Sequence, residues 1–107
     1  MIKYRPTAKS YFSGAGLMDL GLSMAGVDII QSLEIDQTCI KTLQANFNHS
    51  IIHSDIKDIT VGSQVKSDII VGTYPCTKYS AIADIHGTRT GDDLYLHFFR
   101  HMAIERP

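Results

Sequence analysis

Hydrophobic and polar positions change period at short intervals along this chain, strand-like and then helix-like, which is the signature of an α/β protein. KSYFS at 9–13 reads as a first strand that breaks at Gly14 into a helix from about Leu17 to Ala25, where Leu17, Leu20 and Met24 fall at helical spacing. Gly26 stands where a left-handed C-cap belongs. VDIIQSLE, 27–34, forms the second strand, and Asp36 caps a helix that carries Cys39, Ile40, Leu43 and Phe47 on its sheet-facing side before the turn-prone Asn48. Ser50 to His53 make a short third strand, followed by a polar connection at 55–67 with room for a helical turn. DIIVG, 68–72, has the continuous branched pattern of a fully buried parallel strand. A last helix follows Asp92 and Asp93, whose charges suit a helix N-terminus; Leu94, Tyr95, Phe98, Phe99 and Met102 line its apolar side, and Pro107 stops it.

Four strands and about three helices predict one domain over 1–107, a partial doubly wound (Rossmann-like) fold with a mainly parallel sheet and helices on both faces. Ligands of such sheets gather at the carboxyl ends of the strands, where the strand order switches. The sheet is expected to be unfinished. A chain of 107 residues buries one modest core, removing roughly 60 to 70% of its unfolded surface from water. Hydrophobic residues make up 44% and charged residues 20%, the balance of an ordinary globular protein rather than a disordered one. No apolar run approaches the ~18 residues that cross a bilayer, and the N-terminus lacks a signal-peptide core, so the expectation is a cytoplasmic protein with no membrane partner. Two cysteines without CxxC spacing fit a reducing compartment and no disulfide. A formal charge of −1 gives no general attraction to nucleic acid.

FSGAGLMDLGL, 12–22, follows a strand and opens a helix, so Gly14 and Gly16 let the backbone turn tightly and approach a nucleotide. Glu34 closes the second strand, where a carboxylate can accept ribose hydroxyls. Taken singly, a GxG is as often only a turn and such an acid as often only a cap; together they are moderately specific. Dinucleotides and S-adenosylmethionine both use this arrangement. The absent third glycine and Asp19, which would repel a pyrophosphate if it pointed into the site, favour the sulfonium cofactor. Asp55 follows the third strand at the same edge and can accept a hydrogen bond from an adenine amino group, or equally cap a helical turn.

VGTYPCTKYS, 71–80, places Cys76 directly after Pro75 beyond the fourth strand. Pro75 fixes one dihedral and gives a nucleophile a rigid mount, whereas Cys39, on a packing face, reads as a buried small hydrophobe. The polar stretch from Thr77 to Gly91, with Lys78 and Arg89, suits a lid. His97 and His101 are four apart but lack the glutamate of HExxH and a third ligand, so no metal site is expected. His49, His53 and His86 read as surface or loop residues.

FSGAG, Glu34 in LEID, Asp55 in SDI and PCTKYS after a buried strand occur in this order, and the chain from Tyr11 to about Pro107 resembles the N-terminal part of a DNA cytosine-5 methyltransferase catalytic domain. The resemblance implies S-adenosylmethionine as methyl donor, S-adenosylhomocysteine as product, and Cys76 as the nucleophile that adds to carbon 6 of cytosine. It implies cofactor contacts from Phe12 on the adenine, Ser13, the Gly14, Ala15, Gly16 and Leu17 backbone on the methionine end, Glu34 and Ile35 at the ribose, Asp55 and Ile56 at the adenine, and Pro75 and Leu94 around the pocket. Double-stranded DNA with a cytosine flipped out is the implied partner of the full-length enzyme, and a restriction-modification setting is the usual one.

Leu17 stands where many relatives carry a further glycine, and Ile35 replaces an aromatic; both are expected to weaken packing around the cofactor. IERP ends before the strand that carries a Glu-Asn-Val element in relatives, so the chain is expected to be a fragment, inactive by itself, weak in cofactor binding, and prone to self-association through an exposed sheet edge. Two alternatives stay open: a tRNA cytosine-5 methyltransferase, and a nicotinamide-dependent oxidoreductase fragment, which would leave PC idle. A degenerate half-enzyme serving as a binding subunit is the non-catalytic reading.

Overall fold

The computed structural model describes residues 4–60, 65–74 and 94–107. Their order is β1 (Thr7–Tyr11), α1 (Leu17–Met24), β2 (Asp28–Glu34), α2 (Gln37–Asn46), β3 (Ser50–His53), a 3-10 turn (Ile56–Asp58), β4 (Ile69–Gly72) and α3 (Leu94–Glu105). The strands form one sheet in the order β3-β2-β1-β4, and every pairing is parallel. The chain therefore steps outward from β1 through β2 to β3, then crosses back to place β4 on the other side of β1. That reversal puts the switch point between the carboxyl ends of β1 and β4.

Core packing divides by face. Tyr11, Leu33, Ile56 and Phe98 form the cluster under α3, with Ile52, Ile70 and Met102 against it, while Ala8, Val27 and Ile29 form the cluster under α1. The division depends on an irregularity in β2. Pairing steps from Ala8↔Ile29 to Lys9↔Gln31, so Ile30 is an extra residue on that strand. Uninterrupted pairing would have set Ser32 beside Tyr11; the bulge instead sets Ser32 beside Ser10, facing α1, and Leu33 beside Tyr11, facing α3.

The expected elements form, with four differences. β1 begins and ends two residues earlier than the sequence pattern suggests, because Phe12 adopts a positive φ of 58° and breaks the extended chain. β4 is half-buried rather than fully buried, since among the described strands it has a neighbour on one side only. The apolar stripe of α1 faces outward: Leu17 is 83% and Met24 81% exposed, and the helix's buried residue is Asp19. On α3, Phe99 is exposed and the buried positions are Phe98, His101 and Glu105.

His101 and Glu105 are buried because β1 supplies their partners. Lys9, 1% exposed in the middle of the sheet, places Nζ 2.5 Å from Glu105 Oε1. The Tyr11 hydroxyl donates to the Glu105 carboxylate at 3.3 Å and lies 3.4 Å from His101 Nδ1. Burial, then the neighbouring Glu105 charge, drives the Tyr11 phenol far above its ordinary range. This quartet fastens α3 to the central strand. Next to it the Phe98 ring covers Gly72, where a Cβ would stand 2.6 Å from ring carbons.

Candidate cofactor and active site

Each predicted site residue in the described part of the chain lies at the carboxyl rim of the sheet, as parallel topology dictates. Gly14 (φ 60°) and Gly16 (φ 95°) both have left-handed backbones, which only glycine adopts without penalty. A Cβ on Gly14 would meet nothing within 4 Å, whereas one on Gly16 would stand 2.6 Å from Phe47 Cε2 and 2.8 Å from Leu43 Cδ2. Gly14 thus serves the turn alone; Gly16 also lets the turn sit on α2.

Phe12 carries the turn's other unusual backbone, a strain of the order of 1–3 kcal/mol for a non-glycine residue. Its surroundings fix it. Ser13 N donates to Leu33 O at 3.1 Å, and Thr73 Oγ1 donates to Phe12 O at 2.6 Å, so β2 and the end of β4 hold it from both sides. Its ring meets Tyr74 edge-on at 6.3 Å.

Glu34 ends β2 with its carboxylate held in place. Oε1 accepts from Gly14 N at 2.8 Å, and Oε2 accepts from Ile35 N at 2.7 Å and Asp36 N at 2.8 Å. A carboxylate offers about four acceptor positions, so one further donor fits without displacing an amide; two ribose hydroxyls require one amide to yield. His53 braces the same turn, Nε2–H donating to Ile35 O at 2.8 Å. Asp55 does what its bland reading predicts: Oδ1 accepts from Lys57 N at 2.9 Å and caps the 3-10 turn. It also lines the cavity.

That cavity, about 290 Å³, is walled by Phe12, Gly14, Glu34, Ile35, Asp55, Ile56 and Leu94, together with Leu33, Ser54 and Thr73. The last three were not singled out from the sequence, although their signal was there: each lies within a residue or two of a strand's carboxyl end, and such positions reach this rim. The cavity is at the small end of the ~300–1,000 Å³ usual for ligand pockets, a fit for one nucleoside. A second, more open cavity shares Phe12, Gly14 and Thr73 with it and continues past Ser13, Ala15 and Leu17. Gly16 lies instead between α1 and the end of α2. Leu17 and Ile35, the two departures, are both exposed.

Two expectations need correction. Asp19 does not point toward the site: it is fully buried against β2, where Ser32 Oγ donates to its Oδ2 at 2.6 Å. Its charge therefore offers no test between cofactors. His49 is not a surface residue but half-buried, with Nε2 2.7 Å from Ser32 Oγ. His101, four residues after His97, is interior; among the described residues no cluster of His, Cys, Asp or Glu could hold a metal ion. Cys39 is free and half-buried, its thiol pKa pushed up by desolvation and then by Asp36 and Glu34. Pro75, Cys76, His86 and the lid proposed for Thr77 to Gly91 lie outside the described residues. No helix among the described residues is long and apolar enough to cross a membrane.

A parallel sheet with this strand order, a glycine turn after β1 and an acid ending β2 has the fold of S-adenosylmethionine-dependent methyltransferases. The chain superposes with TM-score 0.75 and 27% identity on a protein described as a DNA modification methyltransferase encoded within an E. coli prophage, covering 95% of this chain and 30% of that one. The fold also matches the plantazolicin methyltransferase BpumL, solved with S-adenosylhomocysteine, at TM-score 0.55 and 18% identity over 73% of this chain and 30% of that one. Within this class, residues 7–107 match the C-5 cytosine-specific DNA methylases, and the chain belongs to that family. It is 40% identical over 78 residues to the type II methyltransferase M.FnuDI of Fusobacterium nucleatum, a match covering 73% of this chain and 23% of that protein. The chain thus spans about a quarter of the length of that relative.

Proposed function

We propose that this chain is the cofactor-binding portion of a DNA cytosine-5 methyltransferase that takes its methyl group from S-adenosylmethionine. The observation that carries the reading is the convergence of Phe12, Gly14, Glu34 and Asp55, from three separate strand ends, on one nucleoside-sized cavity. Glu34 accepts a ribose hydroxyl, Phe12 stacks on the adenine, Asp55 and Ile56 meet its edge, and Leu94 closes the far wall. The Gly14, Ala15 and Leu17 backbone, which lines the second cavity, takes the methionine end, and Gly16 seats that turn on α2. When bound, S-adenosylmethionine supplies an electrophilic methyl group on a sulfonium centre.

Cytosine carbon 5 is too weak a nucleophile to take that methyl unaided. The Cys76 thiolate adds to carbon 6, which makes carbon 5 enamine-like; after methylation, loss of the carbon 5 proton expels the thiolate and restores the ring. A free thiol titrates near 8.5, so Cys76 must be deprotonated as it attacks. The base reaches it by leaving the duplex, at a cost of a few kcal/mol. Because the chain is a small part of its relatives' length, DNA binding and turnover are proposed for the whole protein; residues 1–107 alone are proposed to bind the cofactor weakly and not to turn over.

Calorimetry with S-adenosylhomocysteine and with NAD tests the cofactor. Weak binding of the first, abolished by Glu34→Ala, and none of the second is the expected result; equal binding of both overturns it. In the complete protein, 5-fluorocytosine DNA should trap a covalent adduct that Cys76→Ser prevents, and trapping on an RNA substrate instead would reassign the substrate.

A further inference from the structure

α1 is docked on the sheet in an inverted way, with its apolar stripe in solvent and a carboxylate underneath. Asp19 is wholly buried and its Oδ1 has no hydrogen-bond partner among the described residues. Such a group is costly to bury, and Asp19 sits three residues beyond Gly16, in the first turn of the helix that carries the glycine loop. Its one bond comes from Ser32. A hydroxyl has a single proton, and Ser32 gives it to Asp19, so Ser32 Oγ accepts from His49, which must carry its hydrogen on Nε2. The chain of donors runs His49 to Ser32 to Asp19.

His49 follows closely on Phe47, and their rings lie 5.1 Å apart. Phe47 is also the side chain against which Gly16 is seated. One short segment after α2 therefore grips the glycine turn twice: an apolar arm, Phe47, meets Gly16 from the side, and a polar arm, His49 through Ser32, holds Asp19 from below. The bulge at Ile30 is what turns Ser32 toward this arm.

We propose that His49, Ser32 and Asp19 are positioning residues that set the height of the glycine turn over the sheet and thereby the affinity of the methyl donor's site, without touching the ligand. None of the three lines either cavity at the rim. The inference rests on the cofactor reading given above, and its test separates the two.

In the full chain, S-adenosylhomocysteine affinity is measured by calorimetry, and the Gly14–Leu17 amides and the His49 ring nitrogens are followed by NMR. Ser32→Ala and His49→Ala are expected to weaken binding by about tenfold or more and to shift those amides. His49→Gln, whose side-chain N–H can replace Nε2–H, should restore both. The His49 ring should show the Nε2–H form before ligand is added. If Ser32→Ala leaves the turn amides and the affinity unchanged, or if His49→Gln is no better than His49→Ala, the relay is overturned. If Ser32→Ala unfolds the chain, Asp19→Asn, which keeps an acceptor for Ser32, is read in its place and should stay close to wild type. Wild type failing to bind at all sinks the cofactor reading; the amide shifts then decide the relay by themselves.

Discussion

The two faces of the sheet bury charge in opposite ways. Under α3, Lys9 meets Glu105 directly at 2.5 Å, both nearly inaccessible, and Tyr11 adds a donor. Under α1, Asp19 has no cation in contact among the described residues; a serine hydroxyl stands between it and His49. The first arrangement ties residues 96 positions apart and fixes where the last helix lies. The second joins elements already close in sequence and adjusts one turn. A direct buried ion pair is costly to half-remove, whereas a hydroxyl link is soft.

The largest effect should come from Lys9→Met, which strands Glu105 in the interior: about 3–5 kcal/mol of stability lost in a denaturant titration. Lys9→Met with Glu105→Leu should recover most of it, and a single mutant as stable as wild type would show that the pair does not anchor α3. Ser32→Ala should follow at about 1–3 kcal/mol, because Asp19 loses its last partner; a thermal melt above that of Lys9→Met but below wild type is the pattern that sustains the comparison. Tyr11→Phe removes a donor while Lys9 still holds Glu105, so about 0.5–1.5 kcal/mol is expected from the same measurement.

Acid should expose the smallest difference. Burial holds both His101 and His49 below their ordinary 6.5. Around His101, Glu105 and the Ile56 backbone pull upward against Arg100 and Lys9; around His49, Asp19 pulls upward. Each therefore binds its proton later in the folded than in the unfolded chain. The stability is present in full above about pH 6.5 and is lost as pH falls from there toward the folded values. His101, fully buried, should account for more of that loss than half-buried His49, so His101→Gln should flatten a pH series of melts more than His49→Gln does.

Much of this was legible in the sequence because local signals and topology agree. Asp36 caps α2, accepting from Thr38 N and Cys39 N, and Ser50–His53 forms as its pattern suggests. Gly14, Glu34 and Asp55 could be gathered in advance, since a parallel sheet sends every strand's carboxyl end to the same rim. Lys9 could not. A lysine in a central strand reads as exposed until its partner is known, and that partner is Glu105. Periodicity likewise located α1 but not the face it buries, because an inward aspartate makes sense only once the β2 bulge has turned Ser32 toward it. Leu33, Ser54 and Thr73 carry no chemistry that marks them, only position.

Ile30 leaves β2 with one point at which its length can vary. Removing that residue would make the pairing with β1 uniform and keep Ser32 under α1 and Leu33 under Phe98, since the irregularity already absorbs it. Losing Gln31 would do the same, with Ile30 taking its place beside Lys9, whereas losing Leu33 would set Ser32 or Glu34 beside Tyr11 and send polar atoms into the cluster around it. Chains of this kind should therefore tolerate a one-residue gap at position 30 and at few places nearby.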